Sequence, residues 1–350
     1  MNQDEIFMSR CLQLALNGLG HAAPNPMVGS IVVHKGRIIG EGYHQECGQA
    51  HAEVNAINSV KETELLKEST IYVNLEPCSH WGRTPPCADL IIKHRIPKVV
   101  IGCVDSFEQV SGRGIQKLRD ADCEVITGVL EKEALELNKR FFTYHQKKRP
   151  YIILKLAQTK DGFIDKLRND ASEPAQWITN EHARTLVHKW RTEEMGILVG
   201  TNTALKDNPK LNVRSWFGSN PIRIVIDRAL RLPENLHLFD QSIPTIVFTE
   251  EISPKKSKNI IFQTANLQPD QLDDLLLKLY EQKMQSIIVE GGAELMESFV
   301  NQNKWDEARV FIGNRFFGNG VKAPHITDHF DSFEQLDDND LYIAYNRNPH

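Results

Sequence analysis

The chain has 350 residues, of which 41% are hydrophobic and 25% are charged, and its formal net charge is −5. This is an ordinary globular composition, and the length is sufficient for two or three domains that each bury a core. The slightly acidic balance, with a pI of about 6.2, does not favour non-specific binding to nucleic acid, and no run of 18 apolar residues predicts a membrane span.

The cysteines are distributed unevenly along the chain. All six lie in the first 123 residues, and a secreted disulfide framework would be denser and the chain shorter. The N-terminal segment predicts an amphipathic helix and lacks the basic and apolar regions of a signal peptide. We therefore expect a reducing, cytoplasmic compartment, and we expect the two halves of the chain to differ in chemistry.

Helices and strands alternate in the first half of the sequence. Helices are predicted at residues 4–19, 50–60, 88–94, 114–121 and 131–146, and strands at residues 30–34, 37–42, 69–75, 98–104 and 124–127. Lys35 and Gly36 form the predicted turn of a hairpin between the first two strands. This order predicts a three-layer α/β/α domain with the hairpin at one edge of its sheet.

A basic, polar run that ends at Pro150 marks the predicted domain boundary, which gives domains at residues 1–146 and 150–350. The second half also alternates, which predicts another α/β domain. Its strands are predicted at residues 151–157, 196–199, 222–226, 245–248, 286–290 and 307–312 and in the C-terminal LYIAYN, and its helices at residues 180–190, 269–282 and 293–301.

Three candidate metal ligands occur around two predicted helix starts. His51 begins the triplet HAE, and Cys78 and Cys87 follow a predicted strand and flank the start of a helix. Helix N-termini favour the thiolate form of cysteine. Three such ligands leave a fourth position open, which is typical of catalytic zinc, and the metal lowers the pKa of a water there to about 7. Glu53 is the candidate residue for moving protons.

Spacing alone leaves two other interpretations open. Cys47, His44 or His80 could supply a fourth ligand, which would close the site and make the zinc structural. The paired cysteines could also be buried apolar residues without a metal.

Three motifs in this half carry a family resemblance. PNPMVG at residues 24–29, HAE at 51–53 and EPCSHWGRTPPC at 76–87 resemble the cytidine deaminase superfamily, whose zinc enzymes combine a His-x-Glu motif with paired cysteines. Eight residues separate Cys78 from Cys87, and this long gap resembles the RibD family of bifunctional riboflavin-biosynthesis deaminase/reductases. The resemblance covers the whole chain in the right order.

The resemblance assigns roles to residues of the first domain. The implied roles are zinc binding by His51, Cys78 and Cys87, proton transfer by Glu53, and substrate contacts by Asn25, His44 and His80. Without the resemblance, Asn25 between two prolines would be interpreted as a turn residue. One position departs from the family pattern, because Phe107 stands where an asparagine is expected. We therefore expect a substrate contact of the deaminase site to be lost or replaced there.

Four segments of the second half resemble the reductase domain of the same family. They are KLAQTKDGFI at residues 155–164, QWITN at 176–180, VGTNTALKDNPKLNVR at 199–214 and IVEGGAEL at 288–295. Neither a GxGxxG motif after a strand nor a P-loop is present, so a Rossmann site is poorly supported. The resemblance instead implies a dihydrofolate reductase-like fold that uses NADPH.

The resemblance also assigns roles in this second domain. The implied roles are NADPH contacts by Gln158, Trp177, Thr203, Asp207, Gly291 and Gly292, and substrate contacts by Arg191, Leu211, Arg214 and Glu290. Arginine side chains suit a ribose phosphate because they bind it with two hydrogen bonds. The family usually has small residues where Gln158 stands, so this edge of the cofactor site is expected to be altered.

The sequence therefore predicts two consecutive activities in one chain. The first is zinc-dependent deamination of a phosphoribosylamino-pyrimidine, and the second is NADPH-dependent reduction of its ribosyl group; no proton donor for the reduction is identified. A homodimer or a higher homo-oligomer is the family expectation. The competing interpretations are a nucleoside or tRNA deaminase with an accessory domain, which the low pI disfavours for tRNA, and a zinc-stabilised binding module with degenerate sites.

Overall fold

A computed structural model describes residues 1–79, 81, 85–105, 112–168, 173, 175–252, 257–268 and 271–350. His80 and Phe107 lie outside the described residues. The chain divides into two compact units, Met1–Gln146 and Lys147–His350. Within the described part of the chain, every helix is too short or too polar to cross a bilayer.

The first unit is built on one sheet with helices on both of its faces. Its helices are α1 (Gln3–Leu16), α2 (Ala52–Asn58), α3 (Cys87–Lys93), α4 (Arg113–Asp120), α5 (Glu131–Leu137) and α6 (Lys139–Lys147). Its strands are β1 (Gly29–His34), β2 (Arg37–Tyr43), β3 (Thr70–Leu75), β4 (Lys98–Cys103) and β5 (Glu124–Thr127). The strand order is β2-β1-β3-β4-β5, so the predicted hairpin lies at an edge.

Side-chain alternation along the strands produces the three layers. Val32 and Ile71 pack in a cluster with residues of α2, α3 and α4. Their neighbours Ile31 and Tyr72 point to the opposite face and pack in a cluster with residues of α1. Successive strand residues face opposite sides of a sheet, so these buried pairs require a helical layer on each side. The predicted α/β/α architecture is confirmed.

One predicted helix of this unit is wrong. The sequence predicts one continuous helix over residues 131–146, but this segment is divided into α5 and α6 at Asn138. The buried Asn138 side chain accepts a hydrogen bond from Met27 N at 2.8 Å and donates one to Met27 O at 2.9 Å. This tertiary contact fixes the asparagine at a helix end, where its residue type is also favoured.

The second unit contains a larger, mixed sheet. Its strands are β6 (Tyr151–Thr159), β7 (Phe163–Asp165), β8 (Gly196–Val199), β9 (Ile222–Ile226), β10 (Thr245–Thr249), β11 (Ile260–Thr264), β12 (Ser286–Glu290), β13 (Glu307–Gly313), β14 (Val321–Lys322), β15 (Ser332–Leu336) and β16 (Asn339–Tyr345). Its helices are α7 (Glu181–Glu193), α8 (Thr201–Asp207), α9 (Asp273–Glu281) and α10 (Ala293–Asn301). The main order is β11-β10-β9-β8-β12-β6-β13-β16-β15, and β7 pairs with β14 separately.

Parallel pairing in the centre of this sheet determines where a ligand can bind. β8, β12, β6 and β13 are parallel neighbours, while β16 is antiparallel to β13 and to β15. The carboxyl ends of parallel strands meet at one edge, where open α/β sheets bind their ligands. Lys155 and Glu290 are directly paired in the register at this edge.

Several elements of the second unit were not predicted from the sequence, namely β7, α8, β11, β14 and β15. They are short, and β15 is an edge strand whose residues are mostly exposed. The helix α8, with the sequence TNTALKD, contains three residues of low helix propensity near its start. Local patterns are weakest in such segments, because pairing with the rest of the sheet determines their structure.

Candidate active sites

The first site begins with the backbone around His51. This residue is the N-cap of α2 and has an extended conformation, with φ −72° and ψ 163°, while Glu53 lies in the first helical turn. His51 therefore lies just outside the helix, and the usual spacing of side chains on a helix surface does not apply to the pair. The extended residue explains how a histidine and a glutamate two positions apart approach the same point.

The two cysteines reach this point from a different part of the sheet. Cys78 lies beyond the end of β3, and Cys87 is the first residue of α3. The backbone N–H of Cys87 donates a hydrogen bond to the Cys78 sulfur at 3.3 Å. Hydrogen bonds with the side chains of Cys87 and His51 lower the pKa of the Cys78 thiol well below its usual range. Cys78 is therefore prepared to act as a thiolate ligand.

The distances between the three side chains match a tetrahedral metal centre. His51 Nδ1 lies 3.5 Å from Cys78 Sγ and 3.3 Å from Cys87 Sγ, and the three atoms all lie within 4.8 Å of one another. Zinc–nitrogen and zinc–sulfur bonds of about 2.0–2.3 Å in tetrahedral geometry place such atoms roughly 3.5 Å apart. The donor set and its spacing therefore fit zinc.

Among the described residues, this group of potential metal ligands comprises only these three side chains. Cys47 is exposed, and the ring nitrogens of His44 contact Asn25 and the Ala50 carbonyl. The described residues thus give no support to a closed, four-ligand site, and His80 lies outside them.

Glu53 is the buried acid of this site, with only 3% of its surface exposed. Burial raises the pKa of its carboxyl to about 7, and the negative charge of Cys78 acts in the same direction. Its carboxyl also interacts with the Cys87 thiol. A carboxyl group with a pKa near neutrality can both accept and donate a proton, as general acid–base catalysis requires.

Asn25 and His44, both predicted substrate contacts, lie together. Asn25 Nδ2 is 3.0 Å from His44 Nε2. The segment after Asn25 is held by two buried amides: Asn138 bonds to Met27, and Asn74 Oδ1 accepts a hydrogen bond from Gly29 N at 2.7 Å. These contacts fix the PNPMVG motif to the core of the unit.

Glu76 is a structural residue of this site that the sequence interpretation missed. Its side chain is 4% exposed and accepts hydrogen bonds from the backbone N–H groups of Asp105, Gly112, Gly114 and Ile115. It lies two residues before Cys78, and its partners flank the segment that contains Phe107. A glutamate immediately before Pro-Cys was the available signal, but its partners are distant in sequence.

The second site contains a buried carboxylate with two basic partners. Arg191 donates hydrogen bonds to both oxygens of Glu290, from Nε at 3.2 Å and from Nη2 at 2.9 Å. Lys155 Nζ lies 3.8 Å from Glu290 Oε2. Burial alone would raise the pKa of Glu290, but the positive charges of Arg191 and Lys155 outweigh it and hold the pKa at about 2. Arg191 is the closer, bidentate partner and contributes most.

Lys155 was not identified from the sequence, although a lysine in the apolar strand YIILKLA was a usable signal. Burial lowers the pKa of its ammonium group.

Arg214 also belongs to this region, since both burial and the neighbouring charge of Arg191 lower its pKa. His188, one turn before Arg191 on α7, is buried and its pKa is lowered to about 4, mainly by burial. With His188 neutral, three basic groups face one carboxylate, and this positive excess favours an anionic ligand.

The predicted glycine turn of the cofactor site lies against α8. Gly291 and Gly292 have positive φ angles of 114° and 70°, and a Cβ on Gly291 would come within 2.9 Å of the Thr203 side chain. The structure thus brings Thr203 and both glycines together at the start of α10. Close backbone approach at a helix N-terminus suits a phosphate group, so this part of the unit fits NADPH.

The other predicted residues of the second site occupy different environments. Asp207 pairs with Arg168, which also bonds to Asp165. Trp177 is 58% exposed, and the Arg184 guanidinium lies over its ring at 4.9 Å. The remaining two positions are Gln158, which pairs with Ile312 in the sheet, and Leu211, which is 3% exposed.

Comparisons with known proteins cover both units. Residues 1–103 match the family described as the cytidine and deoxycytidylate deaminase zinc-binding region, and residues 150–339 match the RibD C-terminal domain. The chain is 41% identical over 322 residues to the riboflavin biosynthesis protein RibD of Aquifex aeolicus, which covers 91% of this chain and 89% of the relative.

Solved structures show the same similarity. The deaminase/reductase of Thermotoga maritima, which acts on diaminohydroxyphosphoribosylaminopyrimidine and on 5-amino-6-(5-phosphoribosylamino)uracil, is 38% identical, with a TM-score of 0.88 over 97% of this chain and 98% of that one. RibD of Acinetobacter baumannii is 31% identical, with a TM-score of 0.86 over 98% of each chain.

Proposed function

This chain belongs to the RibD family, and from that premise we propose which of its residues perform each of the family's two reactions. The protein is a bifunctional deaminase and reductase of riboflavin biosynthesis that uses Zn²⁺ and NADPH. The substrate is 2,5-diamino-6-(5-phosphoribosylamino)pyrimidin-4(3H)-one. The product of both steps is 5-amino-6-(5-phosphoribitylamino)uracil.

In the first reaction, His51, Cys78 and Cys87 would hold a zinc ion, which would supply Lewis-acid chemistry by lowering the pKa of a water molecule. The Glu53 carboxylate would accept the two protons of the attacking water in turn, and it would pass the first to the ring nitrogen and the second to the amino group, which leaves as ammonia. The observation that supports this assignment most directly is the three-ligand group with the buried carboxyl of Glu53 beside it. Asn25 orients the pyrimidine.

In the second reaction, bound NADPH would supply the hydride for reduction of the ribosyl carbon. We assign the glycine turn and Thr203 to the cofactor phosphates, with Gln158, Trp177 and Asp207 at its other contacts. Arg191 and Arg214 bind the anionic substrate. Leu211 and Glu290 complete the substrate contacts predicted from the sequence, and His80 completes those of the first site.

Lys155 adds a buried donor to the reductase site. It is paired with Glu290 at the carboxyl edge of the sheet. Glu290 keeps the charge of this lysine balanced in a buried position.

We further propose that the deaminase domain comprises residues 1–146 and the reductase domain residues 150–350. A homodimer or higher homo-oligomer and a cytoplasmic location also remain proposals. The family expectation supports the homo-oligomer, and the six free cysteines support the cytoplasmic location. Light scattering of the purified chain measures the assembly directly.

Separate assays of the two half-reactions test the assignment of function. The purified zinc-loaded protein should release ammonia from the diaminopyrimidine substrate without NADPH. It should also oxidise NADPH when the deaminated intermediate is supplied directly. A zinc-loaded protein that releases no ammonia would contradict the deaminase assignment, and failure to oxidise NADPH with the deaminated intermediate would contradict the reductase assignment.

A further inference from the structure

His44 uses both nitrogens of its ring inside the protein. The residue is 2% exposed. Its Nδ1 lies 3.1 Å from the Ala50 carbonyl oxygen, and its Nε2 lies 3.0 Å from Asn25 Nδ2. A histidine engaged in this way can offer a polar atom to the substrate only after one of these contacts breaks.

The partners determine the protonation of the ring. A carbonyl oxygen can only accept a hydrogen bond, so the proton is on Nδ1. In the neutral ring, Nε2 then carries a lone pair and must receive a hydrogen from its partner. Asn25 Nδ2, an amide nitrogen that can only donate, lies 3.0 Å from Nε2. The arrangement therefore requires the amide nitrogen of Asn25, and not its oxygen, to face the histidine.

This contact connects the two parts of the deaminase site. Ala50 immediately precedes the zinc ligand His51, and the His44 ring packs edge-on against the His51 ring with centroids 5.6 Å apart. The backbone that follows Asn25 is held separately, through the bonds of Asn138 and Asn74 to Met27 and Gly29. Loss of His44 would therefore release the Asn25 side chain while the loop itself stays anchored.

We propose that His44 is a positioning residue that sets the amide orientation of Asn25, and that it does not bind the pyrimidine itself. Its bond takes one Nδ2 hydrogen of Asn25 and leaves Oδ1 and the second Nδ2 hydrogen for the ring of the substrate. The donor and acceptor pattern that the pyrimidine meets is thereby fixed before binding. This inference deepens the proposed deaminase function and rests on it.

A double-mutant cycle on ammonia release tests the inference. His44→Ala and Asn25→Ala should each reduce kcat/KM about tenfold, mainly through KM, because each removes the oriented amide. The double variant should be no worse than Asn25→Ala alone, since His44 acts only through Asn25. Multiplied losses in the double variant would show an independent substrate contact and overturn the proposal. His94→Ala, at the C-terminal end of α3, is the control, and zinc content should stay constant throughout.

Two conservative variants separate the roles of the ring nitrogens. The side-chain oxygen of His44→Gln can occupy about the position of Nε2 and accept from Asn25, so this variant should keep kcat/KM within about threefold of wild type. The shorter side chain of His44→Asn reaches only the position of Nδ1, so it should resemble His44→Ala. The reverse order, with Asn active and Gln impaired, would overturn the proposal.

An NMR measurement makes the test independent of catalysis. In the zinc-loaded protein without substrate, the Asn25 side-chain amide should show one hydrogen protected from exchange with water. In His44→Ala this protection should disappear, and in His44→Gln it should return. If the wild type releases no ammonia, the proposed function fails, while the amide signal still decides the role of His44. An unprotected Asn25 amide in the wild type would overturn the inference alone.

Discussion

The two sites of this protein carry opposite charge imbalances. The first gathers two thiols and the carboxyl of Glu53 around one imidazole, and this predominantly acidic set is complementary to a cation. The second places Lys155, Arg191 and Arg214 around Glu290, and this predominantly basic set is complementary to an anion. Each imbalance indicates the ligand that would correct it, a metal ion in one case and phosphate-bearing molecules in the other.

The two sites also differ in whether the protein's own side chains balance their buried charges. Glu290 already has its counter-charges, so the second site is organised before a ligand arrives. In the first site, burial of Glu53 and the close approach of Cys78 and Cys87 are costly without a cation. We therefore expect the first unit to depend on its metal and the second unit to depend on its internal ion pairs.

Removal of a proposed zinc ligand should have the largest effect, and this effect should be confined to the first reaction. Cys87→Ala should lose zinc and reduce ammonia release by a factor on the order of 10⁴ or more, because the activated water is lost with the metal. Reduction of the deaminated intermediate should continue. Metal analysis together with the two separate assays measures this. Cys123→Ala serves as the matched control and should keep zinc, whereas zinc retained by Cys87→Ala would contradict the ligand assignment.

A second variant separates metal binding from proton transfer. Glu53→Gln should keep zinc and lower kcat of deamination about 10³-fold, because the amide cannot accept a proton from water. NADPH oxidation with the deaminated intermediate should be unchanged. Equal ammonia release by the variant and the wild type would show that another group moves the protons.

The ion pairs of the second unit can be tested through stability. Glu290→Gln leaves Arg191 and Lys155 buried without their counter-charge, and it should lower the free energy of unfolding by about 3 kcal/mol near neutral pH. Denaturant unfolding at several pH values measures the loss. Glu281→Gln, an exposed position on α9, should have little effect, and a stable Glu290→Gln variant would mean that the charges are compensated by other groups.

The stability difference between the wild type and Glu290→Gln should depend on pH. The pKa of Glu290 is depressed from 4.5 to about 2. Its contribution to stability should therefore be complete above about pH 4.5 and should disappear as the pH falls towards about 2. Stability curves of the wild type and Glu290→Gln should converge across this interval. A constant difference between the curves would contradict the depressed pKa.

The smallest effect is expected from a change that preserves charge. Arg191→Lys keeps the positive excess but loses the bidentate contact to Glu290, and it should raise KM of the reduction about tenfold. Steady-state NADPH oxidation measures this, with Lys189→Arg on the same helix as the control. An unchanged KM would show that charge alone, without the fork geometry of arginine, is sufficient.

Local sequence determined much of the first unit and of its metal site. Metal coordination demands particular residue types, so motifs alone predicted a site of His51, Cys78, Cys87 and Glu53, and the structure brings the three predicted ligands together. The alternation of strands and helices likewise predicted the α/β architecture, because a strand between helices must bury both of its faces. The glycine turn after β12 could also be predicted from the sequence, because glycine readily adopts the positive φ angles that this turn requires.

The tertiary structure decided what depends on contacts between distant residues. Asn138 divides a predicted helix because its amide binds Met27, 111 positions away. Glu76 and Lys155 have no local signature, since their partners lie on other elements and the functional groups are common ones. The role of His44 could not be read from its type, because its tautomer follows from the Ala50 carbonyl and the Asn25 amide. Sequence thus determined which groups are present, and folding determined which atoms of those groups remain available to a ligand.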